Sequence, residues 1–385
     1  MSREENILRN AGYSRLQAGL RSSHLPALDG IRAVAVFIVI FNHAGLPCPG
    51  GLGVLVFFVL SGFLITWLLL KEFDRYSHVS LKHFYMRRSL RIFPAFYAYA
   101  AFAISIELLL KKTHIVWTQV LCSLFYVNNY YQALYGDPNA MLAHTWSLAV
   151  EEQFYLLWPA TFLFLQRKGF DLAKSLAGAI AFVWTYRLVL VFVVHAQHRY
   201  IYQAFDTRAD SLMSGCLLAI LLHQGRCVRL FDWICRRQTR AIAVLSAIVI
   251  SVVIQFRFGP IYGDSLGLAI NSVLVAAFIA QMIAWRDAAV GHWLNWRWIS
   301  YLGVLSYSLY LYQQIAVHPA QRIAAKLPGI VRLPTMVVVI LFFALASYYV
   351  VERPALHLKA RFSDLPPHEP EADEISDPEP GLQNP

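Results

Sequence analysis

The stretch LDGIRAVAVFIVIFNHAG, Leu28 to Gly45, decides the fold. It is apolar and long enough to cross about 30 Å of hydrocarbon as a helix, yet it carries Asp29, Arg32, Asn42 and His43. A charge at the centre of such a helix costs at least roughly 2.5 kcal/mol on insertion scales, so these side chains belong to a protein interior or a polar path.

The rest of the chain agrees with a membrane setting. Of 385 residues, 58% are hydrophobic and 14% aromatic, and only 15% are charged, against about 25% in an average soluble domain. The net charge of +10 is scattered between apolar runs, so it reports topology and argues against a nucleic-acid partner. Cys48, Cys122, Cys216, Cys227 and Cys235 form an odd set without a CxxC pair or metal-ligand spacing, and read as small packing residues. No metal is expected.

Apolar windows at 27–45, 51–70, 92–110, 147–165, 173–194, 209–223, 240–257, 266–285, 298–317 and 335–352 predict about ten spans, hence an all-α integral membrane bundle. The aromatic-rich segment Val116 to Tyr131 is marginal in length and reads as interfacial or re-entrant. The first 26 residues are polar, and the run after them is too long for a signal-peptide core, so the first span reads as an uncleaved anchor.

Loop 71–91 carries Lys71, Arg75, Lys82, Arg87, Arg88 and Arg91, and loop 224–240 carries Arg226, Arg229, Arg236, Arg237 and Arg240. Arg167, Lys168 and Lys174 follow the fourth span, whereas the intervening loops hold few cations beyond Arg322, Lys326 and Arg332. The positive-inside rule then places both termini in the cytoplasm of an inner-membrane protein. The expected organisation is a cytoplasmic segment over 1–26, a transmembrane domain over 27–354 and a tail over 355–385. The tail's SDLPPHEPEADEISDPEPGLQNP buries too little to offset its ordering entropy and is expected to be disordered. No internal repeat is evident.

The polar residues inside the windows carry the chemistry. Arg32 and His43 stand eleven positions apart on one helix, about 16 Å at 1.5 Å per residue. Arg32 also reads as a snorkelling side chain, and His43 as a satisfied core or interface histidine. The fourth span opens HTWSLAVEEQFYLLWP and runs inward, putting His144, Glu151 and Glu152 near the depth of His43. Adjacent carboxylates point about 100° apart on a helix, so one of them is expected to face the interior. A carboxylate beside an imidazole fixes its tautomer and makes it a better base, so Glu151 or Glu152 is the expected partner of His43. Alternatively, both line the positive end of a helix dipole.

In FDTRADSLMSGCLLA, Arg208 and Asp210 read as a structural ion pair or as part of a polar cavity. In YMRRSLRIFPAFY, Arg88 and Arg91 fall on one helix face beside Arg87, and arginine suits bidentate phosphate contact, although the three also serve as positive-inside anchors. Gly50, Gly51, Gly53 and Gly62 of GGLGVLVFFVLSGFLIT read as packing glycines, and Ser61 lacks the Gly-x-Ser-x-Gly context of a nucleophile. The pattern is a ladder: arginines at the inner face, Arg32 part way up, and His43 with a glutamate near the outer face.

These segments, together with YLGVLSYSLYLYQQ and the closing VERP, resemble in order those of the membrane-bound acyltransferase 3 family, from Leu28 to Pro354. That family includes bacterial O-acetyltransferases of surface and exported polysaccharides. The resemblance implies acetyl-CoA or another acyl-CoA as donor, and a sugar, glycan or lipid-linked glycan as acceptor. It further implies an essential His43 with Arg32, Arg88, Arg91 and Glu151 in support. One departure is the pair Gln313 and Gln314 after SLYLY, where many relatives have tryptophan or histidine. Unlike some longer relatives, the chain is expected to lack an esterase-like domain after the last span.

The expectation is therefore an inner-membrane O-acyltransferase of about ten helices in contact with membrane lipid. Its catalytic residues are His43 and Glu151, and its donor-binding residues are Arg32, Arg87, Arg88 and Arg91. Glu152, Arg208, Asp210 and His144 are the residues expected at the acceptor. A multi-span transporter or flippase is the alternative, because intramembrane Arg, His and Glu also build substrate paths. A sensor or structural protein locked by polar contacts is a third.

Overall fold

A computed structural model describes residues 10–22, 25–110, 115–137, 140–324 and 329–359, and all regular structure in them is helical. Short α1 (Ala11–Leu20) precedes α2 (Pro26–His43), α3 (Gly50–Tyr76) and α4 (Leu81–Leu110). Two eight-residue helices, α5 (Trp117–Leu124) and α6 (Asn128–Tyr135), lead to α7 (Thr145–Arg167) and α8 (Leu172–Phe192). Next come α9 (His198–Gln203), α10 (Phe205–His223), α11 (Val228–Cys235), α12 (Thr239–Tyr262) and α13 (Leu268–Ala284). The chain closes with α14 (Arg297–Val304), α15 (Ser306–Ala324), α16 (Gly329–Ser347) and α17 (Arg353–Lys359). The first residues of the expected tail are thus helical as far as Lys359, and the rest of it lies outside the described residues.

Five helical runs among the described residues are long and apolar enough to cross a membrane, or six if the bent pair His198–His223 and Val228–Cys235 is one span. The sequence led to an expectation of about ten. Part of the difference has a physical cause. In α7 the consecutive Glu151, Glu152 and Gln153 dilute an otherwise apolar helix, because its polar face is turned inward. Another part is a merger: the run Thr239–Ala284 counts as one helix of 46 residues, about 69 Å at 1.5 Å per residue and more than twice a hydrocarbon layer. It breaks at Gly259 (φ 62°, ψ −150°), a conformation that only glycine adopts at ease. There the chain folds back, bringing Ser251 Oγ and Tyr262 OH within 2.8 Å. The segment around Val116 to Tyr131 forms α5 and α6, each about 12 Å long and too short to span. They brace the start of α7, with Asn128 Nδ2 donating to Thr145 Oγ1 (2.7 Å) and Gln153 Nε2 to the Tyr126 carbonyl (2.8 Å).

The centre of the bundle is the crossing of α3 and α10. A Cβ added at Gly62 would meet the Leu212 carbonyl oxygen at 1.9 Å, and one at Gly215 would meet the Val59 oxygen at 2.0 Å, so the two backbones touch. The packing role read for Gly62 is what the structure shows. All five cysteines are free, and Cys216 is buried against the Gly62 carbonyl at 3.4 Å.

The two ends of the bundle differ. At the basic end, His223 pairs with Asp74 (2.6 Å) and Arg226 with Asp171 (2.7 Å). The hydrogen bond from Arg226 holds the Asp171 carboxyl below the usual carboxylate range. Here α1 docks on α11, and Asp232 Oδ1 accepts from the backbone N–H groups of Gly12 (2.9 Å) and Tyr13 (3.3 Å). At the opposite end lie His43, His144, His198 and Arg208.

Candidate active site

Inside the bundle a narrow cavity of about 80 Å³ is lined by Arg32 of α2, Ser61 of α3, Arg88 and Arg91 of α4, Glu151, Glu152 and Tyr155 of α7, and Tyr310 of α15. The ladder expected from sequence is thus compressed: the three arginines and both glutamates share one slot. Both adjacent carboxylates line it, where one was expected, because the slot wraps around α7. Arg88 and Arg91 reach it together because a spacing of three puts them on one helix face.

Glu151 accepts short hydrogen bonds from Ser61 Oγ and Tyr155 OH. The Tyr155 ring carries Arg88 at 4.7 Å, so hydroxyl, carboxylate, ring and guanidinium form one continuous wall. Arg32 sits 3.6 Å from Asp29, three positions earlier on α2. Arg87 does not line the slot. It pairs at 2.8 Å with Glu72, whose other oxygen accepts from the Ser80 N–H, and braces the α3–α4 turn. Neighbouring positions on a helix point about 100° apart, which separates Arg87 from Arg88.

His43 has a partner the sequence reading passed over. Its Nδ1 lies 3.0 Å from Gln313 Oε1, while Gln313 Nε2 donates to the Tyr310 carbonyl at 3.0 Å. The second bond fixes which end of the amide faces the ring, so Nδ1 carries the proton of the neutral imidazole and Nε2 keeps its lone pair. The expected pairing of Glu151 with His43 is replaced by this arrangement. Glu151 stands six positions into α7, about 9 Å below the start of that helix, whereas His43 ends α2. A neutral amide orients the ring but compensates no charge. Gln313→Leu is expected to lower any His43-dependent turnover about 10- to 100-fold with insertion intact. Steady-state rates at several pH values check this, and an unchanged rate would remove Gln313 from the site.

The other expected residues distribute differently. His144 is buried against the rings of Tyr99 (5.3 Å) and Tyr310 (5.4 Å), and its carbonyl accepts from Tyr310 OH at 3.0 Å, so it backs the slot without lining it. Arg208 and Asp210 do not pair. Asp210 takes Arg187 Nη1 (3.0 Å) and Trp184 Nε1 (2.9 Å) from α8, while Arg208 lies among aromatic rings. The sequence reading missed Arg187, although an arginine inside an otherwise apolar helix was a visible signal. It also missed Tyr155, Tyr310 and Glu352, the last a buried carboxylate bonded to Ser308.

Apolar helices of spanning length around a buried polar slot, with a histidine held at one end, define a multi-pass membrane protein with a candidate site in its interior. A family model described as an acyltransferase domain, Acyl_transf_3, matches residues 25–352, and the chain belongs to that acyltransferase family. It is 30% identical over 356 residues to YrhL of Bacillus subtilis (strain 168), a candidate peptidoglycan O-acetyltransferase, covering 86% of this chain and 55% of that one. It is 30% identical over 332 residues to the peptidoglycan O-acetyltransferase OatA of Listeria monocytogenes, covering 79% and 50%. A candidate O-acetyltransferase of Staphylococcus aureus, SACOL0978, is 34% identical over 212 residues, covering 51% and 35%. The chain spans about half the length of the first two relatives. No solved structure matches it.

Proposed function

We propose that the protein is an integral membrane O-acyltransferase that carries an acyl group, acetyl in the first instance, from cytoplasmic acyl-CoA to a glycan hydroxyl at the outer face of the inner membrane. The observation that carries this reading is the convergence of Arg32, Arg88 and Arg91 on one slot, on the same bundle that presents His43 with a free Nε2. Family membership supports transfer chemistry, and the transporter alternative draws no support from the relatives. The name of OatA makes peptidoglycan glycan the first acceptor class to test.

In this reading the arginines hold the phosphates of CoA by charge-assisted contacts, and the pantetheine arm points the thioester toward His43. His43 Nε2 removes the proton from the acceptor hydroxyl as its oxygen attacks the thioester carbon. The C–O bond forms, the C–S bond breaks, and the thiolate leaves to take up a proton. Glu151 keeps Tyr155 and Arg88 in place along the slot. Purified protein given labelled acetyl-CoA and peptidoglycan glycan fragments should yield labelled ester. Movement of substrate across vesicles without thioester cleavage would sink the reading in favour of transport.

The same reading takes all ten helical windows as spans, with both termini and the basic end in the cytoplasm. Single cysteines placed at Ser77 and Arg229, in a background without the native five, should react with an impermeant maleimide only after the membrane is permeabilised. One placed at Pro47 should react without permeabilisation. Reversed labelling would invert the orientation and move the donor to the wrong compartment.

A further inference from the structure

At the end of the bundle where α7 and α10 begin, Arg208 is completely buried, and none of its guanidinium nitrogens has a hydrogen-bond partner among the described residues. Its surroundings are aromatic: the rings of Tyr202, Phe58 and Trp146 lie 5.2, 5.5 and 5.9 Å away. Contact with ring faces returns part of the cost of removing a cation from water, but far less than an anion would. Asp210 and Asp264 act on Arg208 only through space and are themselves engaged by Arg187 and His198. A buried charge with no hydrogen-bonded counter-ion weakens a fold, and an apolar residue of the same volume is commonly neutral or stabilising in its place. Such a cation is accounted for when an anion arrives with a ligand.

The neighbours describe what that ligand meets. On its other side the Tyr202 ring packs on the ring of half-exposed His198 (5.5 Å), whose Nδ1 is 2.6 Å from Oδ2 of buried Asp264. From solvent inward there is an oriented imidazole, a phenol and then the unpaired guanidinium. A Cβ at Gly51 would come within 2.7 Å of Tyr202 OH, so the glycine leaves room for this ring. Phe58 lies beneath Arg208 and also lines the arginine slot, and Trp146 immediately precedes the slot residue Ser147. The two sites share a wall. Flat apolar rings suit the C–H face of a sugar, and a guanidinium suits a carboxylate or phosphate.

We propose that Arg208, Tyr202, Trp146 and the His198–Asp264 pair form the acceptor subsite, and that the acceptor is an acidic saccharide whose anionic group pairs with Arg208. This rests on the transferase reading above and specifies its substrate class. The anion has two chemical sources, a sugar carboxylate or the phosphate of a carrier-linked glycan.

The test uses full-length protein, acetyl-CoA and three peptidoglycan glycan fragments: one with free muramyl carboxylates, one with them amidated, and one amidated but carrying a reducing-end phosphate. The wild type should use one charged fragment with an acceptor KM at least tenfold below that of the neutral one, and the favoured fragment identifies the source. Arg208→Met should erase that preference, leave the KM for acetyl-CoA within about twofold, and melt at the same or a higher temperature. Arg208→Lys, which keeps the charge and loses the fork, should retain part of the preference and covers the case in which the Met variant fails to insert. Equal wild-type use of the three fragments, or an unchanged acceptor KM in both variants, overturns the proposal. Failure to cleave acetyl-CoA at all would instead strike the transferase reading itself.

Discussion

Acetyl transfer is expected to disappear in His43→Ala while the protein still inserts and purifies normally. His43 is held by a single oriented contact, Gln313 Oε1 to Nδ1, which directs the proton to one nitrogen and leaves the other as a base. Removing a positioned general base costs roughly 10²- to 10⁴-fold in rate. The measurement is label transfer from acetyl-CoA at saturating acceptor, with His43→Gln as a second variant that keeps polarity and removes basicity. Near-normal transfer in either variant would make His43 a packing residue and end the mechanism.

The double variant Arg88→Gln, Arg91→Gln should raise the KM for acyl-CoA steeply and change turnover of bound donor much less. A charge-assisted contact is worth roughly 1.5–3 kcal/mol, or about 10- to 100-fold, and two neighbouring contacts combine to about 10²- to 10³-fold when they are not fully additive. Arg87 supplies the control. It is one position from Arg88 but engaged by Glu72 and absent from the slot, so Arg87→Gln should leave donor saturation little changed. Equal effects of Arg87 and Arg88 substitutions on donor KM would mean that bulk positive charge, and not the slot, attracts the donor.

Much of the frame could be read from sequence, because bilayer length and charge placement are one-dimensional properties. The polar first helix, the dense basic loops and the one-face spacing of Arg88 and Arg91 all reappear in the helices. Contacts across helices are different in kind. The His43–Gln313 contact joins positions 270 apart, and no local pattern marks it. Ser61 lacked a nucleophile motif, yet its hydroxyl binds Glu151, a relation set by how α3 meets α7. One error was avoidable: positions two apart on a helix do not face each other, so Arg208 and Asp210 were poorly placed to pair, and the structure gives Asp210 to Arg187.

The docking of α1 has a consequence for how the protein is made. Its first N–H groups are received by Asp232, 220 positions later in the chain. At roughly 5–20 residues synthesised per second, the N-terminal helix waits about 10 to 45 s before its acceptor leaves the ribosome. During that interval the earlier helices sit in the membrane with the basic-end surface of α1 uncovered. Closing that surface therefore waits for the second half of the chain, because α1 also packs on α13, Gly19 against Ile283, and a chain interrupted before α11 would leave the first N–H groups of α1 without their acceptor.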